Sequence, residues 1–180
     1  MDIITYNEKV FSPFLSKEEI DGIVGGLATQ INADYSDIEE DVVLVSILDG
    51  SFIFMADLVR KLTFQFEVEF VKIRSYNGFE SEGEIELILD LHKDIKGKHI
   101  IVIEDIVDTG LTIEKFIEQL QALNPKSVKV CSLLSKPDVH NDIINIDYVG
   151  KEIPPVFVIG YGLDIDGKGR NHHGIYQLEV

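Results

Sequence analysis

Apolar positions along the chain follow two rhythms. Ile20, Ile23, Val24, Leu27 and Ile31 recur at the spacing of one helix face. Ser16-Lys17-Glu18-Glu19 ahead of them has the form of a capping box, in which a serine hydroxyl and a glutamate carboxylate serve each other's backbone N–H groups. Gly22, Gly25 and Gly26 lie inside this helix and weaken it by about 1 kcal/mol each. By contrast, Val42-Val43-Leu44-Val45-Ser46-Ile47-Leu48 is almost wholly apolar, as expected of a strand covered on both faces of a parallel sheet. Asp49-Gly50-Ser51 breaks that run, and Phe52 to Leu62 is again helical in pattern, so a tight strand-to-helix turn is expected at residues 48–51.

Phe66, Val68 and Phe70 alternate with Glu67 and Glu69, which predicts a half-exposed strand continuing to Ile73. Residues 75–84 are polar and glycine-punctuated, which predicts a loop, with Ile85 to Leu89 expected as its returning strand. A second buried run, His99 to Ile103, is expected to end abruptly at Glu104-Asp105. Thr112 to Leu123 has a helix pattern stopped by Asn124-Pro125, and Val128 to Leu134 is the next buried strand. Weaker strands follow at residues 147–150 and 156–159. Short apolar strands alternating with helices imply βαβ units with right-handed crossovers. The expected fold class is α/β: a mostly parallel sheet flanked by helices, in one domain spanning residues 1–180. Residues 1–15 and the weak strands after residue 140 are expected to form a small hood over it.

Composition narrows the function. The chain has 180 residues, 45% apolar and 27% charged, with a formal net charge of −16. That apolar content supplies the buried area a disordered chain lacks. Strong acidity argues against a nucleic-acid or anionic-membrane partner, since both call for a basic face. The single Cys131 excludes an internal disulfide and a cysteine zinc cluster, and its apolar surroundings read as a small buried side chain. Neither a basic leader followed by an apolar stretch nor a membrane-length apolar window occurs, so a cytoplasmic location is expected.

Candidate chemistry concentrates in Ile101-Val102-Ile103-Glu104-Asp105-Ile106-Val107-Asp108-Thr109-Gly110-Leu111-Thr112. In open α/β sheets, ligands bind beyond the carboxyl ends of the strands, where helix N-termini converge. Three acids so close behind a buried strand repel one another, which stability alone does not favour. Asp108-Thr109-Gly110-Leu111-Thr112 places small hydroxyl side chains and a glycine at a helix start, a loop able to wrap a phosphate with backbone N–H groups. It lacks the Gly-Lys-Ser/Thr ending of a P-loop, and no Gly-x-Gly-x-x-Gly occurs, so neither a nucleoside triphosphate nor a dinucleotide is indicated. Hydroxyl-binding acids beside a monophosphate cradle suggest a ribose 5-phosphate group. Residues 164–175 are not a calcium loop, because Lys168 and Ile175 stand where oxygen ligands are needed. The five histidines lack metal-ligand spacing and read as non-catalytic.

Residues 101–112 resemble the signature of the type I phosphoribosyltransferases, an apolar strand followed by Glu-Asp-x-x-Asp-Thr-Gly-x-Thr. Leu133-Leu134-Ser135-Lys136 and Pro155 to Asp164 are similar to the hypoxanthine-guanine branch, and the resemblance runs from about residue 42 to about residue 171. It implies that Glu104 and Asp105 hold the ribose hydroxyls of 5-phosphoribosyl 1-diphosphate (PRPP), directly or through Mg²⁺. Asp108 corresponds to the general acid/base near purine N7, and Thr109, Gly110, Leu111 and Thr112 to the 5′-phosphate loop. Lys136 corresponds to the lysine that donates to the purine's exocyclic oxygen, Phe157 to the aromatic stacked on the base, and Val158 to the residue whose backbone meets the base edge. Asp164 matches the ligand of a second Mg²⁺, and Arg170 a base that contacts pyrophosphate. Asp49, Gly50 and Ser51 match the pyrophosphate loop, which in the family often holds a non-proline cis peptide. Ser75 and Tyr76 open the segment that matches a mobile lid.

One departure stands out: several relatives have lysine where this chain has Asp49, a charge reversal beside an anionic leaving group. The implied activity is Mg²⁺-dependent transfer of the phosphoribosyl group to hypoxanthine or guanine, giving IMP or GMP and pyrophosphate, in a homodimer or homotetramer. A non-catalytic sensor of PRPP or nucleotide on the same fold is the alternative, and xanthine is a further substrate the same chemistry allows.

Overall fold

Residues 42–47 are buried without exception, and this run seeds the centre of the molecule. The structure, a computed structural model, describes residues 1–75, 85–141 and 143–179, without the side chains of Ser75 and Ile85. Its elements in chain order are β1 (Ile4–Tyr6), β2 (Lys9–Leu15), α1 (Lys17–Tyr35), β3 (Val42–Leu48), α2 (Phe52–Val59), β4 (Glu67–Ser75), β5 (Ile85–Leu89) and β6 (His99–Val107). They continue with α3 (Leu111–Ala122), β7 (Ser127–Ser135), α4 (Pro137–His140), β8 (Tyr148–Glu152), β9 (Val158–Ile159) and β10 (Ile175–Leu178). A six-stranded sheet runs in the order β5-β4-β3-β6-β7-β8, parallel throughout except for β5, which returns antiparallel along β4.

Both faces of this sheet are covered, which is why its strands read as continuous apolar runs. One face packs Leu44, Ile101, Ile103 and Leu133 against Ile20, Val24 and Leu27 of α1 and Phe54 and Leu58 of α2. The other packs Val43, Val45, Ile100 and Val102 against Ile113, Phe116 and Leu120 of α3. The capping box is formed as the sequence predicts: Glu19 N–H donates to Ser16 Oγ at 3.2 Å, and Ser16 N–H donates to Glu19 Oε2 at 2.8 Å. Cys131 is buried in the core. Among the described residues no helix is long and apolar enough to cross a membrane.

Three elements differ from the sequence expectation, each for a tertiary reason. The α2 helix stops at Val59 rather than Leu62 because Asn32 of α1 captures the chain there, donating to the Lys61 carbonyl at 3.0 Å and accepting from Thr63 N–H at 2.8 Å. Strand β6 does not end at Glu104 but runs to Val107, because β7 stays alongside and pairs with Ile106 and Val107 through Leu134 and Ser135. The third difference concerns the hood, a four-stranded antiparallel sheet in the order β1-β2-β10-β9, which does contain the terminal segments. β8 is not part of it. This strand joins the main sheet beside β7, where Tyr148 is buried and its hydroxyl donates to Asp34 of α1 at 2.6 Å.

At the amino ends of the strands, Glu67 sits between Lys93 and Lys98 at 2.6 and 2.7 Å. Hydrogen bonds from the two ammonium groups hold its carboxyl down to about 2 from an ordinary 4.5. Because the folded-state value is depressed, the contribution is present above the unfolded value and disappears as pH falls through the folded one. Glu67→Gln should therefore lower Tm at pH 6–7 and flatten its decline between about pH 4.5 and 2, measured by thermal scans at a series of pH values. Parallel Tm curves for the two proteins across that range would exclude this coupling.

Candidate active site

At the carboxyl ends of β3 and β6 the sheet brings two turns together, residues 48–51 entering α2 and residues 108–110 entering α3. A cavity of about 250 Å³ opens between them, lined by Leu48, Ile73, Glu104, Asp108, Thr109, Gly110 and Thr112. Gly110 caps α3 with φ of 80°, a left-handed conformation that other residues adopt only with strain. It turns the chain sharply enough for Thr109 and Thr112 to line the same cavity at the start of a twelve-residue helix. The positive end of the helix dipole, directed at the cavity, makes this a place for an anion. The Leu111 side chain is exposed and outside the cavity lining, so that residue offers only its backbone.

Glu104 and Asp105, which the sequence places after the strand, are part of its last turn of pleat. Glu104 lines the cavity, and its Oε2 is sealed from solvent with no hydrogen-bond partner. Asp105 is also buried and accepts from Ile106 N–H at 2.9 Å. Burial pushes the Glu104 carboxyl well above the ordinary range, and the neighbouring Asp105 adds repulsion. The Asp105 carboxyl is raised as well, chiefly by burial.

The turn after β3 rests directly on this pair. A Cβ built on Gly50 would lie 1.8 Å from Asp105 Oδ2, so only glycine permits the approach. The Leu48–Asp49 peptide is cis, as the resemblance implies. Ser51 is buried with its hydroxyl turned inward, hydrogen-bonded to Ser46 Oγ at 2.7 Å and to the Ile47 carbonyl. Its side chain is thus spent within the fold. The Asp49 carboxylate instead accepts from Lys72 Nζ at 2.7 Å.

From the other side, the segment after β9 packs Gly162 against the Gly50 carbonyl. Arg170 donates to the Gly162 carbonyl at 2.6 Å and pairs with Asp164 at 2.8 Å, while Asp164 also accepts from Gly167 N–H at 2.7 Å. Lys136, nearly buried at the start of α4, donates to Asp108 Oδ2 at 2.9 Å. Phe157 is 47% exposed, with its ring 6.3 Å from that of Phe11, so it is not a core residue. Val158 beside it is buried in β9. Ser75 ends β4, and Tyr76 lies outside the described residues.

Among the described residues no three His, Cys, Asp or Glu side chains converge to hold a metal unaided. Asp164 is committed to Arg170 apart from the acid pair. Mg²⁺ does not need a protein cage, because it keeps several waters and takes one or two carboxylates plus substrate oxygens. The unpartnered, buried oxygen of Glu104 beside Asp105 fits such an ion arriving with an anionic ligand.

Sequence reasoning missed Lys72, whose place follows only from strand register. It also missed the structural part of His140, which is buried, bonded to Ser135 Oγ at 3.0 Å and packed through its Cβ 3.5 Å from where a Gly110 side chain would begin.

Comparison with known proteins gives one consistent answer. The family model for the phosphoribosyl transferase domain matches residues 14–166. The chain is 42% identical over 166 residues to the hypoxanthine-guanine phosphoribosyltransferase of Aquifex aeolicus, covering 92% of this chain and 93% of that one. It is 40% identical over 151 residues to the hypoxanthine phosphoribosyltransferase of Buchnera aphidicola, covering 83% and 85%. A crystal structure of a hypoxanthine phosphoribosyltransferase from Staphylococcus aureus superposes with a TM-score of 0.88 at 38% identity, covering 93% of this chain and 91% of that one.

The Gly50 contact leads to a direct test. Gly50→Ala forces a methyl into Asp105, an overpacking that costs about 1–3 kcal/mol. For a chain of this length each kcal/mol lowers Tm by roughly 2–4 °C, readable by scanning calorimetry. A Tm equal to that of the unmodified protein would mean that Asp105 moves aside freely.

Proposed function

Because the chain belongs to the phosphoribosyltransferase family, we propose that it transfers the 5-phosphoribosyl group of PRPP to hypoxanthine or guanine. The products are IMP or GMP and pyrophosphate, a purine salvage reaction. The observation that carries this reading is the shared cavity wall of Glu104, Asp108, Thr109, Gly110 and Thr112 at the N-terminus of α3. It offers, side by side, acceptors for sugar hydroxyls and donors for a 5′-phosphate.

Glu104 and Asp105 would hold Mg²⁺ together with the ribose hydroxyls, and the ion would supply positive charge toward the departing diphosphate. The N–H groups at the start of α3 and the Thr109 and Thr112 hydroxyls orient the 5′-phosphate, which fixes the anomeric carbon for attack. Purine N9 displaces pyrophosphate at C1′ with inversion, through a transition state with positive charge on the ribose ring. Asp108, oriented by its hydrogen bond from Lys136, accepts the N7 proton as the base is ribosylated. The Lys136 ammonium has three donors, so it can keep Asp108 and also donate to the 6-oxo group; adenine, with a donor there, is disfavoured. Phe157 presents its exposed ring to the base. Arg170 and backbone groups of residues 49–51 receive the diphosphate.

Turnover of hypoxanthine, guanine, xanthine and adenine with PRPP and Mg²⁺, followed by nucleotide chromatography, tests the assignment. IMP or GMP formation with little AMP is the expected result, and PRPP binding without turnover of any base would replace the enzyme by a sensor. In the same assay Asp108→Asn should lower kcat by roughly 10²–10⁴-fold. Its KM for PRPP should stay within a few-fold of the parent value. Undiminished kcat would take Asp108 out of proton transfer.

A further inference from the structure

Asp49 stands in the turn that, on the reading above, receives a diphosphate, and a carboxylate there repels that ligand. The fold brings a counter-charge to it. Parallel pairing of β3 with β4 sets Leu48 opposite Lys72, so the end of β4 delivers an ammonium group to the turn that follows β3. Lys72 Nζ donates to Asp49 Oδ2 at 2.7 Å. The two residues are far apart in sequence and meet only because of strand register.

Three other cations at this end of the sheet, among the described residues, already have carboxylate partners: Lys136 has Asp108, Arg170 has Asp164, and Arg74 lies 3.7 Å from Glu86 across the β4–β5 pair. Lys93 and Lys98 sit at the opposite end with Glu67. The task of offsetting Asp49 therefore falls to Lys72. With side chains 40% and 49% exposed, the pair is open to solvent and to an incoming anion rather than locked in the core. An isolated surface pair of this kind contributes little to stability, so its effect should appear in anion binding rather than in folding.

We propose that Lys72 is a positioning and charge-compensating residue of the diphosphate subsite. It neutralises Asp49 and holds that carboxylate against β4, so that the backbone N–H groups of the turn can accept an anionic leaving group. This rests on the proposed function for the identity of the ligand, but binding of pyrophosphate can be measured without any turnover.

The test is isothermal titration of pyrophosphate with Mg²⁺ into the unmodified protein and the variants Lys72→Met, Lys72→Arg, Asp49→Asn and Asp49→Asn/Lys72→Met. Thermal scans accompany each, and KM for PRPP is measured in parallel. Lys72→Met should weaken pyrophosphate binding by roughly tenfold or more and raise KM for PRPP similarly, with kcat and the KM for purine nearly unchanged. Lys72→Arg should retain most of the affinity. The double variant should recover to within about threefold of the parent, because removing the carboxylate removes the need for its partner.

Parent-like binding by Lys72→Met overturns the inference, as does a double variant as weak as Lys72→Met. Should Lys72→Met fail to fold, Asp49→Asn alone decides: binding at least as tight as the parent supports the inference, and weaker binding overturns it. Pyrophosphate binding that follows the expected order in a protein inactive on every purine would overturn the proposed activity and leave this inference standing. No pyrophosphate binding by the parent would overturn both.

Discussion

Two carboxyl groups withdrawn from water at the mouth of β6 set the terms for everything around them. A buried carboxylate needs donors or a cation, and otherwise it holds its proton. Among the described residues no lysine or arginine forms an ion pair with Glu104 or Asp105. The nearby cations are each tethered to another acid: Lys136 to Asp108, Arg170 to Asp164 and Lys72 to Asp49. Of the acid pair, Asp105 keeps the Ile106 N–H as donor, and Glu104 Oε2 has no partner. A stable core alone would have no use for such an arrangement, whereas a sheet that must grip a polyhydroxylated anion at its edge does.

Much of this could be read from the chain itself, because burial on two faces leaves a signature that needs no partner to decode. The apolar runs at 42–48, 99–103 and 128–134 are strands, and the capping box at Ser16 starts α1 where expected. Glu104, Asp108, Thr109, Gly110 and Thr112 come together because one strand and the turn after it are a local unit. What escaped the sequence depends on distant partners. Charged residues at 104–105 argue locally for a loop, yet the neighbouring strand keeps them in the ladder. The end of α2 is decided by an asparagine on α1, and the place of β8 by a tyrosine that finds Asp34.

The same division holds within the site. Gly50 and Ser51 are adjacent, and the sequence assigns them one role. In the fold they part: the glycine stays at the surface of the turn over Asp105, while the serine's hydroxyl ties the turn to the carboxyl end of β3. An acid at position 49 of the turn is visible in sequence, but its compensation is not, since only the pairing register of β4 reveals Lys72. The exposure of Phe157 likewise separates a residue in an apolar run from one that fills the core.

Asp105, Gly50 and Gly162 lie one upon another with no room for a single added methyl at either glycine. Such a column leaves no slack between the Asp105 carboxylate and the two backbones stacked on it. Whatever displaces the turn is felt at the Asp105 carboxylate on one side and at the segment bearing Arg170 on the other. The contacts that set this spacing are two glycine backbones and one carboxylate, so almost no substitution can alter them without moving the chain.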